Sequence, residues 1–94
     1  MALEHVQGKN AGHIVLYALS TCPWCKKTKQ LLDDMGVEYY YTYVDQLLPG
    51  DEKDNAIKTI ERWNQNRTFP TLVINDSTSI AGFREDEIRK ALKT

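Results

Sequence analysis

The chain has 94 residues, of which 41% are hydrophobic and 27% are charged, and its formal net charge is −1. This length allows one small domain with its own core, and the near-neutral charge does not favour binding to nucleic acid or to an anionic membrane surface. No apolar run reaches the roughly 20 residues that a membrane span needs.

The first segment, residues 1–12, is polar and carries Glu4 and His5, which is unlike a secretory signal. We predict that this segment is a flexible leader, that residues 13–94 form the folded domain, and that the protein is cytoplasmic. The next run, residues 13–19, is apolar and partly β-branched, and it predicts a buried strand.

The only two cysteines of the chain follow this strand as Cys22-Pro23-Trp24-Cys25. Pro23 suits the first turn of a helix, where its missing N–H would have had no partner. A strand, a tight turn, Cys-x-x-Cys and a helix form the context typical of a redox pair, and a reducing compartment favours a catalytic over a structural role. Helix N-termini favour thiolates and lower a thiol pKa from about 8.5 to roughly 3.5–7.5.

The helix pattern makes the two sulfurs unequal. Thr28, Leu32 and Met35 follow Cys25 on one stripe, so we predict that Cys25 faces the core while Cys22 faces solvent at the helix start. Nearby lysines off this stripe further favour a thiolate; they are Lys26, Lys27 and Lys29. We predict that Cys22 attacks a disulfide and that Cys25 resolves the resulting mixed disulfide.

The sequence supports two other roles for the cysteines, a structural disulfide and a zinc site, less well than a redox role. A structural disulfide closing so short a loop would contribute only roughly 2 kcal/mol. A structural zinc site needs four ligands, and the only histidines are His5 and His13, without the usual finger spacing. We expect no bound metal, although an iron–sulfur cluster bridging two copies remains an alternative.

The rest of the chain predicts alternating elements. Gly36 ends the first helix, and the tyrosine-rich run 38–44 predicts a strand parallel to the first. Apolar spacing predicts a helix over 51–65, and two short strands follow at 71–74 and 78–81. Acidic residues then begin a last helix at residue 85, so that the predicted order is βαβαββα.

This order, with Cys-Pro-Trp-Cys after the first strand, resembles the glutaredoxin family of the thioredoxin superfamily over residues 13–93. The resemblance implies an α/β fold with a four-stranded mixed sheet flanked by three helices. It also implies a cis peptide bond before Pro70, and a Phe69 backbone to which an extended substrate or glutathione can pair as an added strand. The substrate-binding residues it implies are Pro23, Trp24, Thr68, Phe69, Pro70, Gly82, Phe83 and Arg84, with Arg67 as a carboxylate contact.

Two positions depart from the glutathione-using members. Leu19 stands where they usually carry a lysine, and Arg84 stands in the run Ala81–Asp86 where an acidic group would accept the amine of glutathione. That run instead resembles the glutaredoxin-like redoxins that donate electrons to ribonucleotide reductase and are recharged by a thioredoxin-reductase-type or ferredoxin-linked enzyme.

The sequence therefore predicts a monomeric thiol–disulfide oxidoreductase that reduces protein disulfides, with ribonucleotide reductase as a candidate client and with no tightly bound cofactor. A glutathione-dependent glutaredoxin and an iron–sulfur cluster carrier are the alternatives.

Overall fold

The computed structural model describes residues 3–47, 50–63, 69–75 and 77–92. Within these ranges the chain forms five strands, three α-helices and one turn of 3₁₀ helix. In chain order they are β1 (Glu4–Val6), β2 (Ile14–Ala18), α1 (Pro23–Met35), β3 (Tyr39–Tyr43), the 3₁₀ helix (Val44–Gln46), α2 (Asp51–Trp63), β4 (Thr71–Ile74), β5 (Thr78–Ala81) and α3 (Glu85–Ala91).

The strands form one mixed sheet in the order β1-β3-β2-β4-β5. The β2 and β3 strands are parallel, with Leu16 opposite Tyr41, as a strand–helix–strand crossover requires. The β4 strand runs antiparallel to β2, with Leu16 opposite Leu72, and β5 runs antiparallel to β4. The fold is therefore the thioredoxin-like α/β fold that the sequence predicted, with three helices.

The predicted number of strands was wrong by one. The additional strand, β1, lies within residues 1–12, the segment predicted as a flexible leader, and it pairs antiparallel with β3. His5 stacks on Tyr40 with 4.8 Å between ring centroids, and its Nε2 lies 2.8 Å from Glu38 Oε2. The run Glu4–Val6 has one apolar residue in three. Its sequence therefore shows no hydrophobic period from which a strand could be predicted.

The two faces of the sheet are covered by different helices. On one face, β2 residues Ile14, Leu16 and Ala18 share the main core with Leu31 and Leu32 of α1, and Ile88 of α3 belongs to the same cluster. On the other face, a smaller cluster joins Val44 to Ala56 and Ile60 of α2. Because both faces are covered, the central strands β2 and β4 are almost entirely buried.

The α1 helix begins and ends where its sequence indicates. Cys22 is its N-cap residue and Pro23 occupies its first turn. Gly36 closes the helix in the left-handed conformation with φ 69°, and its N–H donates to Asp33 O. No helix in the described ranges is long and apolar enough to cross a membrane.

Candidate active site

Cys22 lies in the turn between β2 and α1, where the backbone presents donors to its sulfur. Its own N–H donates to Leu19 O at 3.1 Å, and its carbonyl accepts the first helical hydrogen bond, from Lys26 N at 3.2 Å. The Cys22 Sγ accepts from the N–H of Cys25 at 3.2 Å. A backbone N–H at a helix N-terminus stabilises negative charge on the atom it faces. The half-exposed Cys22 sulfur therefore combines access with a donor for its anionic form.

Cys25 is in a different environment. Its side chain is 1% exposed and belongs to the main core with Leu31 and Leu32, and Thr28 is buried on the same side of α1. Burial raises the pKa of the Cys25 thiol to about 12, and the hydrogen bond with Cys22 and the negative charges of Cys22 and Asp45 add to this, against a lowering hydrogen bond from the Leu19 backbone. At neutral pH Cys25 is therefore a protonated, shielded thiol, and the two sulfurs differ as the helix pattern predicted.

Trp24, between the cysteines, is exposed and stacks on the half-buried Phe83. The Trp24 side chain is 53% exposed. Its ring stacks on Phe83 with 5.9 Å between centroids and an interplanar angle of 25°, and the Lys27 ammonium lies 4.5 Å from the centre of the Trp24 ring. The structure thus brings together two predicted site residues that are far apart in the chain.

Phe69 and Pro70 lie beside the cysteines before β4. The bond between them is cis, as the resemblance implied, and Phe69 and Cys22 both pack against the main core cluster. Pro70 is fully buried, and its carbonyl accepts from Gly82 N at 2.8 Å. In the described part of the chain, no residue forms a hydrogen bond with the backbone of Phe69, so its N–H and C=O can pair with a bound peptide. Arg67 and Thr68, the other predicted residues of this loop, lie outside the described residues.

Gly82 and Arg84 connect β5 to α3. Gly82 has φ 84°, which a residue with a side chain adopts only with strain. The Arg84 Nε donates to Ala81 O at 3.2 Å, and one guanidinium nitrogen lies 3.9 Å from Glu87. Arg84 thus places a positive charge at the start of α3, next to the acidic residues Glu85, Asp86 and Glu87 of its first turn.

Ser20 and Asp45 form a hydrogen-bonded pair that was not predicted from the sequence. The Ser20 N–H donates to Asp45 Oδ1 at 2.9 Å and its hydroxyl donates to Oδ2 at 2.5 Å. These two hydrogen bonds lower the pKa of the Asp45 carboxyl, and the resulting charge is one of the causes that raise the pKa of Cys25. A signal was available, because Ser20 and Asp45 follow β2 and β3, and adjacent parallel strands end at the same edge of a sheet.

Metal ligands do not gather around the sulfurs in the ranges that the structure describes, where no three His, Cys, Asp or Glu side chains are grouped to hold an ion. His5 and His13 contact the ring of Tyr40 instead, at centroid distances of 4.8 and 5.5 Å.

Comparisons with known proteins agree with this geometry. A family model described as glutaredoxin matches residues 14–78. The chain is 33% identical over 81 residues to an uncharacterized glutaredoxin-like 8.6 kDa protein from the rubredoxin operon of Clostridium pasteurianum, which covers 85% of this chain and 97% of that protein.

Solved structures are similar over almost the whole chain. A glutaredoxin from Methanosarcina mazei has a TM-score of 0.92 and 47% identity, covering 100% of this chain and 90% of its own. Methanoredoxin from Methanosarcina acetivorans has a TM-score of 0.88 and 52% identity, over 93% and 90% of the two chains. The NrdH-redoxin of Escherichia coli, at 23% identity and a TM-score of 0.67 over 83% of this chain and 92% of its own, shares the fold. The family match, the Cys-x-x-Cys pair at the N-terminus of α1 and the thioredoxin-like sheet lead to one conclusion: the chain belongs to the glutaredoxin family and is a thiol–disulfide oxidoreductase.

Proposed function

We propose that this protein is a dithiol electron carrier for protein disulfides, in which Cys22 attacks the client and Cys25 resolves the mixed disulfide. The observation that carries the proposal is the inequality of the two sulfurs. Cys22 is half-exposed and accepts a backbone N–H donor, whereas Cys25 is 1% exposed and has a pKa raised to about 12 by burial and by Cys22.

In the first step the Cys22 thiolate attacks one sulfur of the client disulfide. The client S–S bond breaks, a Cys22–client disulfide forms, and the second client sulfur leaves as a thiolate that takes up a proton. Cys25 does not compete at this stage, because its buried thiol keeps its proton.

In the second step Cys25 becomes the nucleophile. Once Cys22 is part of a mixed disulfide, its negative charge is gone, and with it one of the causes that hold the pKa of Cys25 high. Cys25 then loses its proton and attacks Cys22 Sγ, closing the Cys22–Cys25 disulfide and releasing the remaining client sulfur as a thiol. The protein has passed two electrons to the client, and of the two protons that the client gains one replaces the proton lost by Cys25 and the other comes from solvent.

The surface around Cys22 suits a polypeptide better than a small disulfide. The exposed Trp24 ring, which stacks on the half-buried Phe83, lies between the two cysteines in the chain, and exposed apolar surface of this kind is typical of protein-binding sites. The free backbone of Phe69 offers an N–H and a C=O to an extended segment of the client.

The electron donor that we propose is a thioredoxin-reductase-type or ferredoxin-linked enzyme, and the client that we propose is ribonucleotide reductase. Support comes from Leu19 and Arg84, which replace the two charged contacts of glutathione, and from the run Ala81-Gly82-Phe83-Arg84-Glu85. Glutathione is the alternative donor, and activity in a glutathione-coupled hydroxyethyl-disulfide assay would favour it.

The experiment that tests the proposal is partner trapping with Cys25→Ser, in the presence and absence of glutathione. We expect this variant to accumulate mixed disulfides with client proteins on Cys22, and we expect Cys22→Ser, the matched control, to trap none and to lose disulfide reduction. Equal activity of the two variants would contradict the division of roles. If Cys25→Ser yields only protein glutathionylated on Cys22, the substrate is a glutathione disulfide and not a protein disulfide.

A further inference from the structure

A groove lies between Leu19, the residue after β2, and the α2 helix. Its volume is about 260 Å³. The buried side chains of Val44 and Ile60 form its floor, and the half-buried Leu19, Ile57 and Phe69 form its walls. We call it the α2 groove. This volume lies just below the roughly 300–1,000 Å³ of most small-molecule pockets, and it is large enough for one apolar side chain.

Two residues of the α2 groove also belong to the segments that carry the active site. Its wall residue Leu19 accepts the N–H of Cys22 at 3.1 Å. Its other wall residue, Phe69, carries the backbone groups left free for a bound peptide. A polypeptide that pairs with Phe69 and presents a sulfur to Cys22 therefore passes over the mouth of the groove.

The charges of the groove do not select a charged occupant. Asp45 and Lys53 complete the lining, and their opposite charges interact. Asp45 is anchored by both hydrogen bonds from Ser20, so its carboxylate stays in place. A terminal carboxylate such as that of glutathione would meet this anion, with Leu19 in place of a cation, whereas an uncharged apolar side chain would contact the five apolar residues.

We propose that the α2 groove binds an apolar side chain of the client protein, two positions from the client cysteine that Cys22 attacks. The spacing follows because side chains of an extended segment alternate between its two sides, so that residues i and i±2 face the same surface. The groove's role depends on the proposed function, because it binds the same client whose disulfide Cys22 reduces.

The test uses disulfide-linked homodimers of one short peptide that contains a single cysteine. Leucine, glycine or glutamate stands two positions before or two positions after that cysteine. Pre-reduced protein is mixed with excess peptide, and the second-order rate constant is read from acid-quenched samples, with no other reductant present. We expect leucine at one of the two positions to react about tenfold faster than glycine, and glutamate to react no faster than glycine.

The variant that tests the groove is Ile57→Ser, with the exposed α2 residue Asn55→Ser as the matched control. We expect Ile57→Ser to reduce the leucine-to-glycine ratio to within twofold and Asn55→Ser to keep it, while all proteins reduce bis(2-hydroxyethyl) disulfide equally fast. Should Ile57→Ser not fold, Ile57→Val should lower the ratio by about two- to threefold, since it removes one methylene.

The possible failures differ from one another. Equal rates for leucine and glycine peptides in the wild type, or an unchanged ratio in the Ile57 variants, would overturn the groove assignment while leaving the dithiol chemistry intact. Absence of reaction with every peptide would instead refute the proposed function. If S-methylglutathione competes with the leucine peptide in the wild type and not in Ile57→Val, the groove binds glutathione and the assignment fails.

Discussion

Cys25, the proposed resolving thiol, should be almost unreactive in the reduced, folded protein, and alkylation measures this directly. The perturbation is limiting iodoacetamide at pH 8, so that each chain reacts at most once, applied to the folded protein and to the protein unfolded in urea. The thiolate is the reactive form of a cysteine. Burial, together with the neighbouring Cys22, raises the pKa of Cys25 from 9.0 to about 12.

The size of the effect follows from the thiolate fraction. At pH 8 a thiol of pKa 9.0 is about one-tenth ionised, whereas a thiol of pKa about 12 is ionised to about one part in ten thousand. We therefore expect Cys25 to be labelled about a thousandfold more slowly in the folded than in the unfolded protein, and burial of the sulfur adds a steric factor in the same direction.

Peptide mapping by mass spectrometry gives the rate at each cysteine separately. Cys22 should carry nearly all the label in the folded protein, and in urea the two cysteines should react at comparable rates. The labelling rate of Cys25 should keep rising tenfold per pH unit between pH 8 and pH 11. A plateau near pH 9, or labelling of Cys25 within tenfold of its unfolded rate, would refute the environment on which the second step of the mechanism depends.

Three further predictions concern stability and binding. The reduced protein should lose stability as pH rises from 9 towards 12, by about 1 kcal/mol per pH unit, because folded Cys25 keeps a proton that the unfolded chain releases. Urea titrations should show a shallower loss of stability for Cys25→Ala, although the raised pKa of Tyr39 acts in the same direction in both proteins. Parallel stability curves for the two proteins would contradict this prediction. Because its pKa is lowered, the Asp45 carboxylate contributes to folding stability above pH 3.8, and this contribution is lost as the pH falls below that value. Asp45→Asn should therefore lose less stability in acid than the wild type in the same titrations. An equal loss in the two proteins would show that the Asp45 carboxylate does not stabilise the fold. Trp24→Ala should slow reduction of protein disulfides about tenfold and leave bis(2-hydroxyethyl) disulfide reduction unchanged, because Trp24 is exposed and stacks on Phe83 as contact surface; equal slowing of both substrates would indicate instead that Trp24 acts on the chemistry of Cys22.

Much of the local structure could be predicted from the sequence. The strand predicted at 13–19 is found at Ile14–Ala18, and the helix after Cys22 runs from Pro23 to the residue before Gly36. The strand was predictable because a short, continuous apolar and partly β-branched run is typical of a buried strand, and the helix because its apolar residues repeat with a period of about 3.6. The same periodicity predicted the burial of Cys25, which lies on the stripe of Thr28 and Leu32.

Contacts that join distant segments were harder to predict from the sequence. The strand at Glu4–Val6 was not predicted because two of its three residues are exposed, so its pairing with β3 leaves no hydrophobic pattern in the sequence. The last residue of the strand predicted at 38–44 begins a 3₁₀ helix, Val44–Gln46, and this turn places Asp45 next to Ser20. No local sequence pattern predicts this 3₁₀ turn.

The sequence by itself determined the chemistry of this protein: a Cys-x-x-Cys pair at the start of an amphipathic helix, with one sulfur on the buried stripe and the other ahead of it. These are properties of neighbouring residues, and helix geometry converts them into unequal sulfurs. The tertiary structure alone decided what surrounds the pair, namely the stack of Trp24 on Phe83, the anchored Asp45 and the α2 groove. Each of these joins segments that are far apart in the chain, and such neighbours are set by how the strands order in the sheet and which helix covers each face.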